Sequence, residues 1–369
     1  MAFAEADWDF PDSGGNRELH PYPARFIGEI PAQALDLLEI EGPVLDPFCG
    51  SGTTLAEARR RNLPSLGIDL NPIACLTSEV RTQRWRPADA AAGLRHSERL
   101  HRSALSGGDP GSHATAIPRL EHWFDPWASA ALAGAVEYLT TVVDETWRNR
   151  LSLAISSAVV RISRQESDTR YAAIEKRGDR ETAAREIAQA VVRVCEWLAT
   201  NTVEYGNAVA RVECGDARQL DHLDADSFAA AIFSPPYPNA YEYWLYHKYR
   251  MYWLGFDPVA VRAAEIGARP HYCKPKGMTE DDFARQMAEV FAHLARVLRR
   301  GAPAVVVVGD SVIGGRRIDN GDLLTKVAES AGFALEVATT RAIRGRRSSF
   351  NRAHSRGRRD EHVLLLRSP

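Results

Sequence analysis

Residues 43–54 read Pro-Val-Leu-Asp-Pro-Phe-Cys-Gly-Ser-Gly-Thr-Thr and run into Leu55-Ala56-Glu57-Ala58-Arg59-Arg60-Arg61. A short apolar strand, a Gly-x-Gly loop and a helix in that order let the backbone approach a ligand closely, with helix N-terminal N–H groups pointing at it. The third glycine of the dinucleotide fingerprint is missing and no Gly-Lys-Ser/Thr follows, which weighs against a nicotinamide cofactor or a nucleoside triphosphate. A second strand, Ser65-Leu66-Gly67-Ile68-Asp69, places its acid about 20 positions after the glycines, the spacing of a carboxylate that accepts from ribose hydroxyls. Alone, Asp69 could be a turn residue ahead of Asn71-Pro72; beside the glycine loop the ribose role is favoured.

Further strands are expected near residues 210, 231, 306, 336 and 364, with helices between most of them. Seven strands so interleaved make an α/β chain with a doubly wound sheet and ligands at the carboxyl ends of its strands. The strand at Phe228–Phe233 stops at Ser234-Pro235-Pro236-Tyr237. Neither proline has an N–H, and both fix φ, so the turn is stiff and rich in acceptors. A serine oxygen and a proline carbonyl can accept both hydrogens of an exocyclic nucleobase amine, and a tyrosine offers a flat face for the base. The plain alternative is an ordinary strand ending in a Pro-Pro turn.

The 369 residues are 45% apolar and 25% charged, enough for a full core in one elaborated domain or two. No apolar run approaches the roughly 20 residues of a membrane span, and the N-terminus is acidic where a signal peptide is basic, so the cytoplasm is the expected compartment. Five scattered cysteines (Cys49, Cys75, Cys195, Cys214, Cys273) with no Cys-x-x-Cys pair indicate neither a disulfide framework nor a zinc site, and no metal is called for. Net charge is −2, and the positive charge is nearly all arginine, the better phosphate ligand.

The first sixteen residues are polar and read as loose. Residues 87–118 suggest a helix followed by a mobile loop around Ser106–Ser112. Trp123, Trp127, Leu132, Val136, Leu139, Val143 and Trp147 form one helical stripe, with further helical segments at 151–162 and 187–203. Between the latter two lies the polar stretch 161–171, either a solvated connection or a loop over the substrate cleft. A second amphipathic helix is expected at Met287–Leu298. Most of the aromatic run Tyr241–Phe256 reads as core, Trp244 and Trp253 included. Residues 341–359 hold eight arginines and no acid, in a hairpin at one end of the sheet. Phosphate contact through Arg346, Arg347, Arg358 and Arg359 is favoured over a solvated face.

Asp46-Pro47-Phe48-Cys49-Gly50-Ser51-Gly52-Thr53-Thr54 together with Ser234-Pro235-Pro236-Tyr237 resembles the S-adenosylmethionine-dependent amino-methyltransferases that modify DNA at cytosine N4 or adenine N6. His20-Pro21-Tyr22-Pro23-Ala24-Arg25-Phe26 looks like that family's N-terminal segment. The likeness covers roughly residues 18–82 and 205–367, in the alpha-like order of cofactor motifs, insertion, catalytic motif. It implies the seven-stranded class I methyltransferase sheet with its last strand antiparallel. The division expected is a cofactor-binding part at 1–84, a mainly helical insertion at 85–204 that recognises substrate or caps the site, and a catalytic part at 205–369.

The resemblance further implies S-adenosylmethionine as cofactor. Asp46, Phe48, Gly50, Ser51, Gly52 and Thr53 would form its loop, Asp69 would hold the ribose, Asp216 the adenine end, and Tyr22 and Phe26 the methionine end. Ser234 and the Pro235 carbonyl would bind the amine, with Pro236 stiffening the turn and Tyr237 stacking on the base. Serine at position 234 tilts the base choice to cytosine N4, with adenine N6 as the alternative. DNA is the implied partner, the base being flipped out of the duplex, and restriction–modification beside a cognate endonuclease fits the family. The rivals are an RNA amino-methyltransferase, a protein glutamine methyltransferase, disfavoured by the basic hairpin, and a noncatalytic nucleic-acid-binding scaffold.

Overall fold

Strand β1 (Val44–Asp46) is buried along its length and pairs in parallel with β2 (Ser65–Asp69) on one side and β4 (Ala230–Phe233) on the other. With β3 (Ala210–Cys214), β5 (Pro303–Gly309), β6 (Ala334–Ile343) and β7 (Arg359–Arg367) they form one seven-stranded sheet in the order β6-β7-β5-β4-β1-β2-β3. Strand β7 runs antiparallel to both its neighbours, and the other pairs of the β5-to-β3 half are parallel. The chain therefore has a seven-stranded doubly wound sheet whose last strand is antiparallel. The computed structural model describes residues 2–10, 18–23, 26–168, 170–202, 204–238, 242–272, 277–343 and 359–369.

Helices alternate with these strands: α1 (Glu29–Leu37), α2 (Thr53–Arg60), α3 (Pro72–Arg81), α4 (Asp89–Ser106), α5 (Pro126–Thr140), α6 (Glu145–Ile162), α7 (Arg180–Asn201), α8 (Tyr243–Trp253), α9 (Glu280–Val297) and α10 (Asn320–Ser330). Alternate residues of the central strands feed two separate cores. Val306, Val308, Leu364 and Leu366 pack with Phe283, Met287, Phe291 and Leu294 of α9. Val305, Val307, Val363 and Leu365 pack on the other face with Ile30 and Leu35 of α1 and with Phe3 and Trp8. Fully burying each such side chain is worth about 1.5–3 kcal/mol.

The insertion between β2 and β3 is helical, as expected, and its apolar stripes close on one another. Leu100, Leu132, Leu151, Ile155, Ile187 and Trp197 belong to one cluster that also takes in Val80 of α3 and Tyr249, Tyr252 and Trp253 of α8. The insertion thus shares its core with two helices of the sheet part.

Several local expectations are corrected. The residues from Trp123 to Trp147 are not one helix. Pro126 opens α5, and the Asp144 side chain caps α6 by accepting from Trp147 N at 2.9 Å, which leaves Val143 92% exposed in the connection. The stretch 165–173 is a short antiparallel hairpin, Gln165–Ser167 with Arg170–Ala173, tied to α8 by the Tyr171–Tyr249 hydroxyl bond at 2.5 Å and by the Arg250–Asp168 ion pair. The loop after α4 is fastened to α5 by Gly108 N donating to Ala130 O at 2.9 Å. Helix α9 begins seven residues earlier than the apolar pattern shows, because Thr279 and Asp282 form a capping box. The N-terminal residues are anchored: Phe3 and Trp8 are buried, and Trp8 Nε1 donates to Phe3 O.

Gly67 on β2 carries a packing constraint. A Cβ there would lie 2.7 Å from Cys49 Cβ and 2.8 Å from Leu55 Cδ2, so the strand and α2 could not keep their spacing. Gly67→Ala is expected to lower stability by about 1–3 kcal/mol through overpacking, read as a lower urea midpoint with an unchanged slope.

Candidate active site

The glycine loop leaves β1 at its carboxyl end. Gly50 has φ +51° and Gly52 φ +80°, backbone conformations that other residues rarely adopt. The two glycines do different things. A Cβ on Gly52 would meet Ser78 Cα at 2.8 Å, so this glycine lets α3 close on the loop, whereas a Cβ on Gly50 would lie 3.6 Å from the Tyr22 ring. Tyr22 therefore covers the loop. The Phe26 carbonyl accepts from Thr53 Oγ1 at 3.1 Å, and its side chain packs against the core cluster of Ile30 and Leu35.

Asp69 sits at the carboxyl end of β2, one strand over. Its Oδ2 accepts from Gly50 N at 2.9 Å and its Oδ1 from Asn71 N at 2.8 Å. The carboxylate thus orders the glycine loop itself, a role the spacing did not disclose. Burial pushes its pKa up to about 6 against those two bonds. Asp46 is held inside the loop, with Oδ1 accepting from Phe48 N at 3.0 Å, and burial raises it to about 7. Thr54 Oγ1 donates to Ile232 O at 3.2 Å, joining the first turn of α2 to β4. Phe48 and Phe233 rings approach within 5.9 Å, and Ser51 is buried. Asp216, at the end of β3, is engaged by the Arg218 guanidinium at 2.9 and 3.1 Å.

Strand β4 stops at Ser234. Ser234 Oγ lies 3.5 Å from the Tyr237 hydroxyl, and the phenol donates to Glu361 Oε1 at 2.9 Å. The segment after the turn folds back beneath it, since a Cβ on Gly267 would lie 3.2 Å from Tyr237 O. Glu265, in the same segment and 7% exposed, accepts from Tyr243 N at 2.8 Å and Trp244 N at 3.2 Å and so caps α8. Burial raises its pKa to about 8, with the Asp69 charge adding to the shift. Glu265, Glu361 and His247 are absent from the residues singled out in the sequence. Only the acidic pair Asp360-Glu361 ahead of the apolar strand Val363–Leu366 could have pointed to one of them, Glu361.

Beside Tyr22 lies an aromatic cluster. The Tyr22 and Tyr243 rings stack at 5.9 Å, and His247 lies 5.2 Å from Tyr22 and 5.8 Å from His20. His247 is fully buried, and neither ring nitrogen has a hydrogen-bond partner among the described residues. The unpaired His247 ring nitrogens next to Tyr22 and the acceptor oxygens of Asp69 at the end of β2 are polar groups that a ligand with a hydroxylated sugar and a zwitterionic tail could engage. The residues present fit S-adenosylmethionine. Of the arginines expected to meet phosphate, Arg346, Arg347 and Arg358 lie outside the described residues, and Arg359 opens β7 with its side chain likewise outside them.

Residues 8–79 match the family model N6_N4_Mtase, described as DNA methylase. Over 68 residues, 18% of this chain and 13% of the relative, the sequence is 37% identical to Type II methyltransferase M.MjaII of Methanocaldococcus jannaschii. Over 152 residues, 39% of this chain and 34% of the relative, it is 24% identical to Type II methyltransferase M.MvaI of Kocuria varians. The matches thus span well under half the length of either relative. Among solved structures, the rRNA methyltransferase aviRa from Streptomyces viridochromogenes aligns over 95% of this chain and 88% of its own at 13% identity and a TM-score of 0.33. Among the described residues no helix is long and apolar enough to cross a membrane.

The Glu265 carboxyl has a pH signature. Its folded pKa of about 8 stands above the unfolded value of about 4.3, so the folded state holds the extra proton between them and its stabilising contribution is lost as pH rises toward 8. Urea unfolding is expected to show stability falling as pH rises through that window, and Glu265→Gln is expected to reduce the slope. An equal slope in the variant would assign the effect to other groups.

Proposed function

We propose, from the match of residues 8–79 to the DNA methylase family model, that the reaction is methyl transfer from S-adenosylmethionine to the exocyclic amine of a DNA base, cytosine N4 ahead of adenine N6. One observation carries it. The glycine loop ends β1, Ser234-Pro235-Pro236-Tyr237 ends β4, and these are neighbours at the point where the sheet order reverses, where doubly wound sheets bind ligands.

When bound, S-adenosylmethionine supplies a methyl group already activated on a sulfonium, so the protein's task is mainly positioning. Gly50 and Ser51 would lie along the cofactor, Asp69 would accept from the ribose hydroxyls, and Tyr22 and Phe26 would close the methionine end. Asp216 would face the adenine while sharing its carboxylate with Arg218. Asp46, Phe48, Gly52 and Thr53 would keep the loop in shape rather than touch the ligand, since each is engaged within the loop, with α3 or with Phe26. Ser234 Oγ and the Pro235 carbonyl would accept the two amine hydrogens and turn the nitrogen lone pair out of conjugation with the ring. The base would have to leave its stack to reach them.

Residues 85–204 would cap the cleft or read sequence. The Arg164 side chain there is committed to Asp125, and Arg170 to Glu166, so these two arginines of the hairpin region are already neutralised. Phosphate contact is better assigned to Arg346, Arg347, Arg358 and Arg359. Replacing Arg346, Arg347, Arg358 and Arg359 by alanine is expected to weaken DNA binding over all sequences and to flatten its salt dependence; an unchanged salt slope would remove that role.

The deciding experiment is mass spectrometry of nucleosides from DNA and RNA incubated separately with the protein and isotopically labelled S-adenosylmethionine. Label in N4-methylcytosine from DNA is the expected outcome. Label in N6-methyladenine would overturn the base choice, and label in RNA alone would overturn the substrate. Ser234→Ala is expected to cut turnover at least about a hundredfold with cofactor affinity retained, because it removes an acceptor aimed at the reacting nitrogen.

A further inference from the structure

Tyr237 is held from outside its own turn. Gly309 at the end of β5, Glu361 on β7 and Arg341 on β6 are lateral neighbours in the sheet, paired Glu361 with Gly309 and Arg341 with Glu361. Laterally paired residues share a face, so the glycine leaves a gap beside the carboxylate. The Tyr237 ring fills it: a Cβ on Gly309 would lie 2.9 Å from ring atom Cε2. The phenol donates to Glu361 Oε1 at 2.9 Å, and Arg341 Nη1 donates to Glu361 Oε2 at 2.8 Å. Arg341 is 7% exposed and the Glu361 side chain 16%. His362, the next residue along β7, turns to the opposite face and bonds to Asp310, so the row of three is separate from that pair.

A carboxylate with one oxygen on a buried guanidinium and the other on a phenol makes two charge-assisted bonds of fixed direction. Buried ion pairs of this kind contribute little to stability compared with apolar residues of similar volume. What the row does have is direction: the guanidinium fixes the carboxylate, and the carboxylate fixes a hydroxyl three residues beyond Ser234.

We infer that Glu361 is a positioning residue of the methyl-transfer turn: its carboxylate, oriented by Arg341, holds the Tyr237 hydroxyl and with it the ring plane offered to the base. The inference rests on the reading of Ser234–Tyr237 as the base-binding turn. Burial, followed by the Glu361 charge, holds the Tyr237 pKa well above the ordinary phenol value, so the hydroxyl remains a donor throughout the working range. A ring free to swing misplaces the base, and a misplacement of about 1 Å can cost about a hundredfold in rate.

Glu361→Gln keeps the shape and replaces the anion with a weaker neutral acceptor; Tyr237→Phe keeps the ring and removes the hydroxyl. Each is expected to lower kcat for labelled methyl transfer into DNA roughly tenfold or more, the worth of a hydrogen bond to a charged group, with the KM for S-adenosylmethionine unchanged. The double variant should be no slower than the worse single one, because both changes break the same bond. Multiplied effects in the double variant would overturn the inference.

A second readout does not depend on turnover. With 3-fluorotyrosine at position 237, the intact protein should give one ¹⁹F resonance, and Glu361→Gln should shift or split it. A resonance indifferent to Glu361→Gln overturns the positioning role whatever the kinetics show. A protein that transfers no methyl to nucleic acid while its resonance responds to the substitution overturns the proposed function and leaves the tyrosine's anchoring in place.

Discussion

The parallel pairing of β1 with β4 is the constraint on which the site depends. Val44 pairs with Ala230 and Leu45 with Ala231, although about half the chain separates them, and Thr54 Oγ1 adds a bond to Ile232 O at the loop end. Closing so long an intervening segment costs conformational entropy before any contact rewards it. The cost is met by burial on both faces of the strands and by an insertion with its own core. If the pairing slipped by one residue, the two buried faces of β4 would exchange cores, and the turn at Ser234 would move relative to the glycine loop.

Around that pairing the chain collects buried carboxylates. Asp46, Asp69 and Glu265 each accept backbone N–H groups, and each has its pKa raised by burial, to about 7, 6 and 8. Their hydrogen bonds shape the loop after β1, the turn after β2 and the start of α8, and burial favours the neutral form of each. On the far side of the turn the order is reversed: Glu361 is matched by Arg341, and the pair is directed at Tyr237.

The insertion shows how a helical appendage can be bound to a sheet without extending it. Leu151 and Ile155 of α6 lie in one cluster with Val80 of α3 and Tyr249 of α8, and Arg250 of α8 donates to Ser156 O at 3.0 Å. The helix that follows the Ser-Pro-Pro-Tyr turn is therefore packed between the site and the insertion. A movement of either would be felt by the other.

All seven strands of the sheet could be read in the sequence, because runs such as Ala304–Val308 and Val363–Leu366 are continuous and apolar, as strands covered on both faces must be. The glycine loop, the carboxylate after β2 and the Ser-Pro-Pro-Tyr turn were equally legible, since each depends on residues adjacent in the chain. Boundaries set by side-chain caps were not: Asp144 and the Thr279–Asp282 pair override the apolar periodicity around them. Nor was the engagement of Asp69 with Gly50, the closure of α3 on Gly52, or the Gly309–Glu361–Arg341 row behind Tyr237. These contacts join residues from 19 to 124 positions apart, and they exist only once strand order and register are fixed. Local composition determines which strands and turns form; the lateral order of strands in the sheet decides which side chains then meet.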